Sequence, residues 1–301
     1  MNDPQAVTQQ IMQQQLMTIG LAMLAVIIAP FAGGFLAGLD RILTARLQGR
    51  KGPPVWQPFY DVFKLLGKNQ ITASRMQLVW MYAYLAIMVF CLIFIALGLD
   101  MLLTVFLLGF AGVCLVLGGF SSKSPYSHFG ANRELVQMLA YEPVLLLMAL
   151  AVYFQNKTFL ISRIYDSNEP LMYSMWPIFI ALVIIITIKL RKSPFDFSTC
   201  HHAHQEIVRG ILTEYSGSYY ALFMIAEWYE IIILLWLVAL FWAVPLWVGV
   251  LIALAVYFLE MFIDNIAARM TIGWMVKYSW VAAMVLCMTN LVYLFIKRGV
   301  F

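Results

Sequence analysis

The chain has 301 residues, 63% of them hydrophobic and 11% charged, with a formal net charge of +4 and a mean hydropathy of +0.86. Soluble domains carry about 25% charged residues, so a single water-exposed globule is excluded and an all-α polytopic protein of the lipid bilayer is expected. The small positive charge gives no reason for a nucleic-acid partner, because the basic residues sit between apolar runs. The cysteines Cys91, Cys114, Cys200 and Cys287 stand apart with no C-x-x-C pair, which argues against a zinc site or an iron–sulfur cluster on this chain. No metal and no cofactor are expected here, and any redox centre would lie on another subunit. The first residues, MNDPQAVTQQIMQQQ, lack the basic stretch that opens a cleavable signal.

A helix needs about 20 apolar residues to cross the hydrocarbon core. That length predicts eight spans in one membrane domain, at about 17–39, 77–98, 101–121, 135–155, 171–190, 219–242, 246–263 and 278–296. The run 231–259 is uncharged and too long for one crossing; Pro245 supplies a break, so two spans joined by a tight hairpin are expected. The long connections are 40–76, 122–134, 191–218 and 264–277. With Lys189 at the end of the fifth span counted in, the connections after odd-numbered spans hold fifteen Lys and Arg residues, against four elsewhere. The positive-inside rule then puts those loops in the cytoplasm and both termini outside, as in the inner membrane of a prokaryote.

Within the first loop, Val55, Trp56, Phe59, Val62, Phe63 and Leu66 recur at helical spacing, with Asp61, Lys64 and Lys68 off that face. The pattern predicts an amphipathic helix in the membrane interface, either a surface anchor or a platform for a soluble partner. Arg46, Asp61, Lys64, Arg133, Arg209 and Arg269 are the charged groups expected to dock a partner or to pair with local acids.

Ionisable residues inside membrane spans are costly and mark functional sites by default. Glu142 falls two turns into the fourth span. Glu227 and Glu230 share one face of the sixth, and Glu260 and Asp264 share a face at the end of the seventh. With Glu134, Asp196, Glu206 and Glu214, nine of the fifteen acids gather toward the predicted cytoplasmic side. Such a set can exchange protons in a water-filled half-channel; the plainer alternative is that each acid caps a helix or pairs with Lys64, Arg133, Arg209 or Arg269. The run Cys200-His201-His202-Ala203-His204 has no second ligand cluster, so His201, His202 and His204 are read as proton-exchanging or partner-contacting groups.

Several segments resemble the complex I subunit 1 family. They are Gly52-Pro53 with Gln57-Pro58, Asp61 and Lys64-Leu65-Leu66; GANRELVQMLAYE at 130–142; SPFD at 193–196; TEYSG at 213–217; Ala226-Glu227; and Ala268-Arg269-Met270. Respiratory members carry several glutamates between PFD and TEYSG. Here Glu206 keeps one, while His202 and His204 replace others and about three residues are inserted. That version is similar to Ech-type energy-converting [NiFe] hydrogenases, and it removes part of what a quinone site would use.

The resemblance implies eight spans and a role as the membrane-anchoring, coupling subunit of a ferredoxin-dependent hydrogenase, itself non-catalytic. It implies a hydrogenase small subunit and a NiFe large subunit on the cytoplasmic loops, which would hold the iron–sulfur clusters and the NiFe centre. Ferredoxin would act indirectly and an antiporter-like subunit would adjoin in the membrane. Carried over from the resemblance, Glu142, Asp196, Glu206, Glu214 and Glu227 are the expected coupling acids, with Glu230, Glu260 and Asp264 beside them, for H⁺ or Na⁺. The other readings are a quinone-reducing complex I subunit, a formate hydrogenlyase relative, a passive anchor and a stand-alone secondary transporter. Against the last, no internal repeat relates the two halves.

Overall fold

The computed structural model describes residues 4–70, 74–165, 169–192, 195, 209–268 and 270–297. Among these, regular structure is helical apart from two isolated bridges, Asp100–Leu160 and Phe195–Met270. Among the described residues, eight helices are long and apolar enough to cross a membrane. In chain order the helices are α1 (Pro4–Leu47), α2 (Gln57–Leu66), α3 (Arg75–Ala96), α4 (Met101–Phe120), α5 (Pro125–Asn156), α6 (Ser162–Tyr165), α7 (Met172–Lys189), α8 (Gly217–Ala239), α9 (Leu246–Ile266), α10 (Ile272–Tyr278) and α11 (Met284–Lys297). A π-helical turn, Ser279–Ala283, joins α10 and α11 into one span.

Two helices outrun the lengths expected from hydropathy. α1 continues through Asp40, Arg41 and Arg46, and α5 begins at Pro125, which places Arg133 and Glu134 inside a helix and not in a loop. Charged residues lower hydropathy without opposing helix formation, so helices run past the apolar core. At the predicted hairpin, α8 tightens through a 3-10 turn, Leu240–Trp242, and Pro245 caps the start of α9.

α8 is the hub, packing against α1, α2, α3, α7 and α9. Its contact with α1 is backbone-close at Gly33, where any Cβ would collide with the carbonyl of Trp228. α2 lies across this pair and splits its apolar residues between two surroundings. Pro58 and Val62 are buried, and Phe59 packs on Trp228 with ring centroids 5.0 Å apart. Trp56, Tyr60, Phe63 and Leu66 stay exposed, the arrangement of a helix lying in the interfacial plane. On the other side α3, α4 and α5 form successive neighbours, and α11 closes the bundle against α5 and α7.

Candidate functional site: a buried charge network at the end of α7

α7 ends in a cap that decides where its charges go. The N–H of Arg191 bonds to the carbonyl of Ile188 (3.1 Å) and that of Lys192 to Thr187 (3.1 Å). These are the two bonds of a Schellman motif, whose penultimate residue takes a left-handed conformation, usually as glycine. Here it is Arg191, at φ +53°. A side chain there costs about 1–2 kcal/mol, and such strain persists where the surroundings over-determine it. The Arg191 side chain that leaves this reversal is buried between α5 and α8.

Its guanidinium meets three carboxylates from two other helices. Arg191 Nη2 is 3.0 Å from Glu134 Oε1 on α5, and Nη1 is 3.4 Å from both Glu227 Oε1 and Glu230 Oε2 on α8. Lys189, the last residue of α7, lies 2.9 Å from Glu230 Oε1 and donates to the Tyr141 hydroxyl at 3.0 Å. Tyr84 on α3 donates to Glu230 Oε2 at 3.2 Å. Glu134, Lys189 and Glu230 are buried, whereas the Glu227 side chain is 37% exposed. Three carboxylates thus share two fixed cations.

A second network adjoins the first. Lys192 pairs with Asp40 of α1 at 3.0 Å and sits over the Tyr257 ring. Asn265 donates to Thr44 at 3.3 Å and Gln48 to Asn265 at 3.0 Å, tying the end of α9 to that of α1. Glu260 is fully buried, with neither carboxyl oxygen hydrogen-bonded among the described residues, and Asp264 is half-buried one turn further on. A cavity of ≈140 Å³ between α1, α7 and α8 is lined by Asp40, Lys189, Arg191, Lys192, Glu227 and Glu230. It joins the two networks and is large enough for several water molecules.

Glu142 is placed elsewhere. It is half-buried in a groove of ≈250 Å³ between α4 and α5, beside Gly109, Phe106 and Phe110. Its neighbour Tyr141 turns the other way, onto Lys189, so residues 141 and 142 stand between the charge network and that groove. Glu214 is half-buried in the turn before α8, with no ion pair among the described residues. Asp196, Glu206, His201, His202, His204 and Arg269 lie outside the described residues.

Of the expected charge partners, Asp61 engages Arg41 at 2.7 Å and Lys64 at 3.8 Å. Partial burial pushes the Asp61 carboxyl up, but hydrogen bonds from Arg41 and Gln57 with the charges of Arg41 and Lys64 outweigh it and leave the group below the ordinary aspartate range. Arg209 stacks over Tyr220 beside Asp61, Lys64 and Lys68 in a cavity of ≈220 Å³. Arg46 is exposed at the end of α1, and Arg133 is half-buried in α5. Sequence reasoning missed Lys189, Arg191, Tyr84 and Tyr141: the two bases counted only as loop charges, and the tyrosines sit in apolar runs.

The helices and the shared cavity define a polytopic membrane protein with a buried, hydrated-size ionic cluster at one end of its bundle. Residues 19–295 match the family model described as NADH dehydrogenase, and the chain belongs to that family, the complex I subunit 1 family. It is 31% identical over 221 residues to NADH-ubiquinone oxidoreductase chain 1 of Mycosarcoma maydis, covering 66% of each chain, just under two thirds of that relative. It is 32% identical over 201 residues to formate hydrogenlyase subunit 4 of Escherichia coli K12, covering 61% of this chain and 64% of the relative. Hydrogenase-4 component C of the same organism is 29% identical over 208 residues, 64% of each. A chain in the structure of the membrane-bound sulfane sulfur reductase, described as an archaeal respiratory membrane complex, shares the fold with a TM-score of 0.83 at 24% identity, over 92% of this chain and 99% of that one. The relatives are membrane subunits of complex I-like and hydrogenase-like oxidoreductase complexes, and this chain is a subunit of that class.

Proposed function

We propose that this chain anchors an energy-converting [NiFe] hydrogenase to the prokaryotic cytoplasmic membrane and couples its electron transfer to H⁺ or Na⁺ movement. The observation that carries the reading is the bridge made by Arg191. The residue opens the 190–217 loop and at the same time ties Glu134, Glu227 and Glu230 together. A charge change on a docked hydrogenase subunit that shifts this loop would withdraw a cation from three acids, of which Glu134 and Glu230 are buried. Arginine does not give up its proton, so its displacement leaves carboxylates that must take up a cation from the cavity. Release would follow through Tyr141 and Glu142 toward an adjoining antiporter-like subunit. Asp196, Glu206, Glu214 and the three histidines belong to the loop that responds, and Glu260 and Asp264 to the second network beside the cavity. In this reading the clusters and the NiFe centre lie on the docked subunits, both termini face outward, and ferredoxin supplies the electrons.

The relatives named as hydrogenase and hydrogenlyase components support this reading, as do the histidines of the loop. The NADH-ubiquinone oxidoreductase relatives favour a second one, a quinone-reducing complex. Inverted membrane vesicles separate the two. With Glu142→Gln or Glu227→Gln, ion uptake should be abolished while hydrogen evolution from an artificial donor persists, and quinone-site inhibitors should have no effect. Unchanged ion uptake in both variants would sink the coupling role; inhibition by the quinone-site compounds would favour the second reading.

A further inference from the structure

Three membrane helices among the described residues carry a proline in their interior: Pro30 in α1, Pro143 in α5 and Pro177 in α7. Proline has no N–H for the carbonyl four residues earlier, and its ring crowds that carbonyl. In hydrocarbon no water can take the freed group, so a neighbour must. Val26, four before Pro30, accepts from the Tyr229 hydroxyl of α8 at 2.9 Å. Leu139, four before Pro143, accepts from the Trp280 indole N–H at 3.0 Å. Near Pro177, where Met175 leaves the helical conformation, the carbonyl of Ser174 accepts from Asn290 Nδ2 at 2.9 Å. In the first two the acceptor is the residue whose bond the proline deletes and the donor comes from another span; in the third the bonded carbonyl is the next one along.

The α5 gap falls directly after Glu142. A Cβ placed on Gly109 of α4 would lie 2.8 Å from Glu142 Oε1, so the carboxyl rests against the α4 wall of its groove and a small rotation of α5 about the gap would move it. Trp280 belongs to the π-helical turn Ser279–Ala283, a departure that often marks functional sites. We propose that Trp280 is a positioning residue for Glu142: its indole N–H replaces the hydrogen bond that Pro143 removes and thereby holds the carboxyl in the α4–α5 groove. The inference rests on the reading of Glu142 as an ion-transfer group. The plainer role for a Trp that is 46% exposed is an interfacial anchor, which needs the ring and not this bond.

Proline itself supplies the control. Pro143→Ala restores an N–H to the Leu139 carbonyl and makes the indole donor redundant, so Trp280→Phe should matter in the native background and not beside Pro143→Ala. The rate at which a hydrophobic carbodiimide modifies Glu142 in the intact complex, read by peptide mass spectrometry, reports the carboxyl's placement without ion transport. Trp280→Phe is expected to raise that rate roughly twofold or more and to lower the ions moved per hydrogen formed. The double variant should match Pro143→Ala in both. Should Trp280→Phe fail to assemble, assembly of the double variant carries the same conclusion, and its failure overturns the proposal. An unchanged labelling rate, or the same change in both backgrounds, also overturns it. If Glu142→Gln moves ions normally while the labelling pattern holds, the role given to Glu142 fails and the bond's positioning effect stands.

Discussion

Lys189 Nζ lies 2.9 Å from Glu230 Oε1 with both side chains buried. Removing one member of such a pair leaves an uncompensated charge and costs about 3–5 kcal/mol, whereas neutralising both together costs far less. Lys189→Met should therefore lower the melting temperature of the purified complex sharply, and Lys189→Met with Glu230→Gln should recover most of the loss. A double variant as unstable as the single one would mean that Lys189 acts mainly through Tyr141.

Arg191 offers a different contrast. Its planar fork spans α5 and α8 at once, a geometry that a lysine ammonium cannot reproduce. Arg191→Lys is expected to keep hydrogen evolution from an artificial donor and lose most ion uptake in vesicles. Arg191→Gly should relax the left-handed backbone at φ +53° and lose coupling equally, which separates backbone strain from charge. Full ion uptake in the lysine variant would show that the three-way bridge is dispensable.

Gly109→Ala tests the groove from the opposite wall. The added methyl would stand 2.8 Å from Glu142 Oε1, against the movable end of a side chain. The helix pair should fold normally while the carboxyl shifts, so ion uptake should fall with no change in melting temperature. Loss of stability without loss of uptake would show that α4, not Glu142, gives way.

Asp61 supplies a pH dependence. Its folded-state carboxyl is held below the ordinary aspartate range by Arg41, so its contribution is fully present above that range and is lost as pH falls through the lowered value. Hydrogen exchange of the α2 amides should stay slow at pH values where free aspartate is already protonated, then rise below them. Asp61→Asn should remove that pH dependence. An α2 that loosens at the ordinary aspartate value would contradict the pairing with Arg41.

How far the sequence could be read differs from residue to residue. The eight crossings follow from run length, because each apolar run must match one hydrocarbon thickness, and the break at Pro245 needs only proline chemistry. The amphipathic helix was legible from spacing, but which of its apolar residues face the protein was not. Val62 and Phe63 are adjacent in sequence; one is buried and the other exposed.

The acids were visible one by one because charge inside an apolar run stands out, and the spacing paired Glu227 with Glu230, which both meet Arg191. Which acids from different helices join them was not visible. Glu134 and Glu142 are eight residues apart on α5, a turn of about 80° around the axis, so one joins the ionic cluster and the other faces α4. The cations that hold the cluster come from α7, a segment distant in the chain, and reach it through a helix cap that uses arginine where glycine is usual.

Composition and periodicity by themselves determined that the chain is a helical membrane protein of eight crossings with acids sunk toward one end, since each rests on a residue's own preference for water or hydrocarbon. Only the tertiary structure decided that Arg191 and Lys189 serve Glu134, Glu227 and Glu230, that Glu142 stands apart, and that Trp280 and Tyr229 answer the gaps left by prolines. Those pairings depend on which helices pack together and at what rotation, quantities set by the whole bundle and not by any single segment.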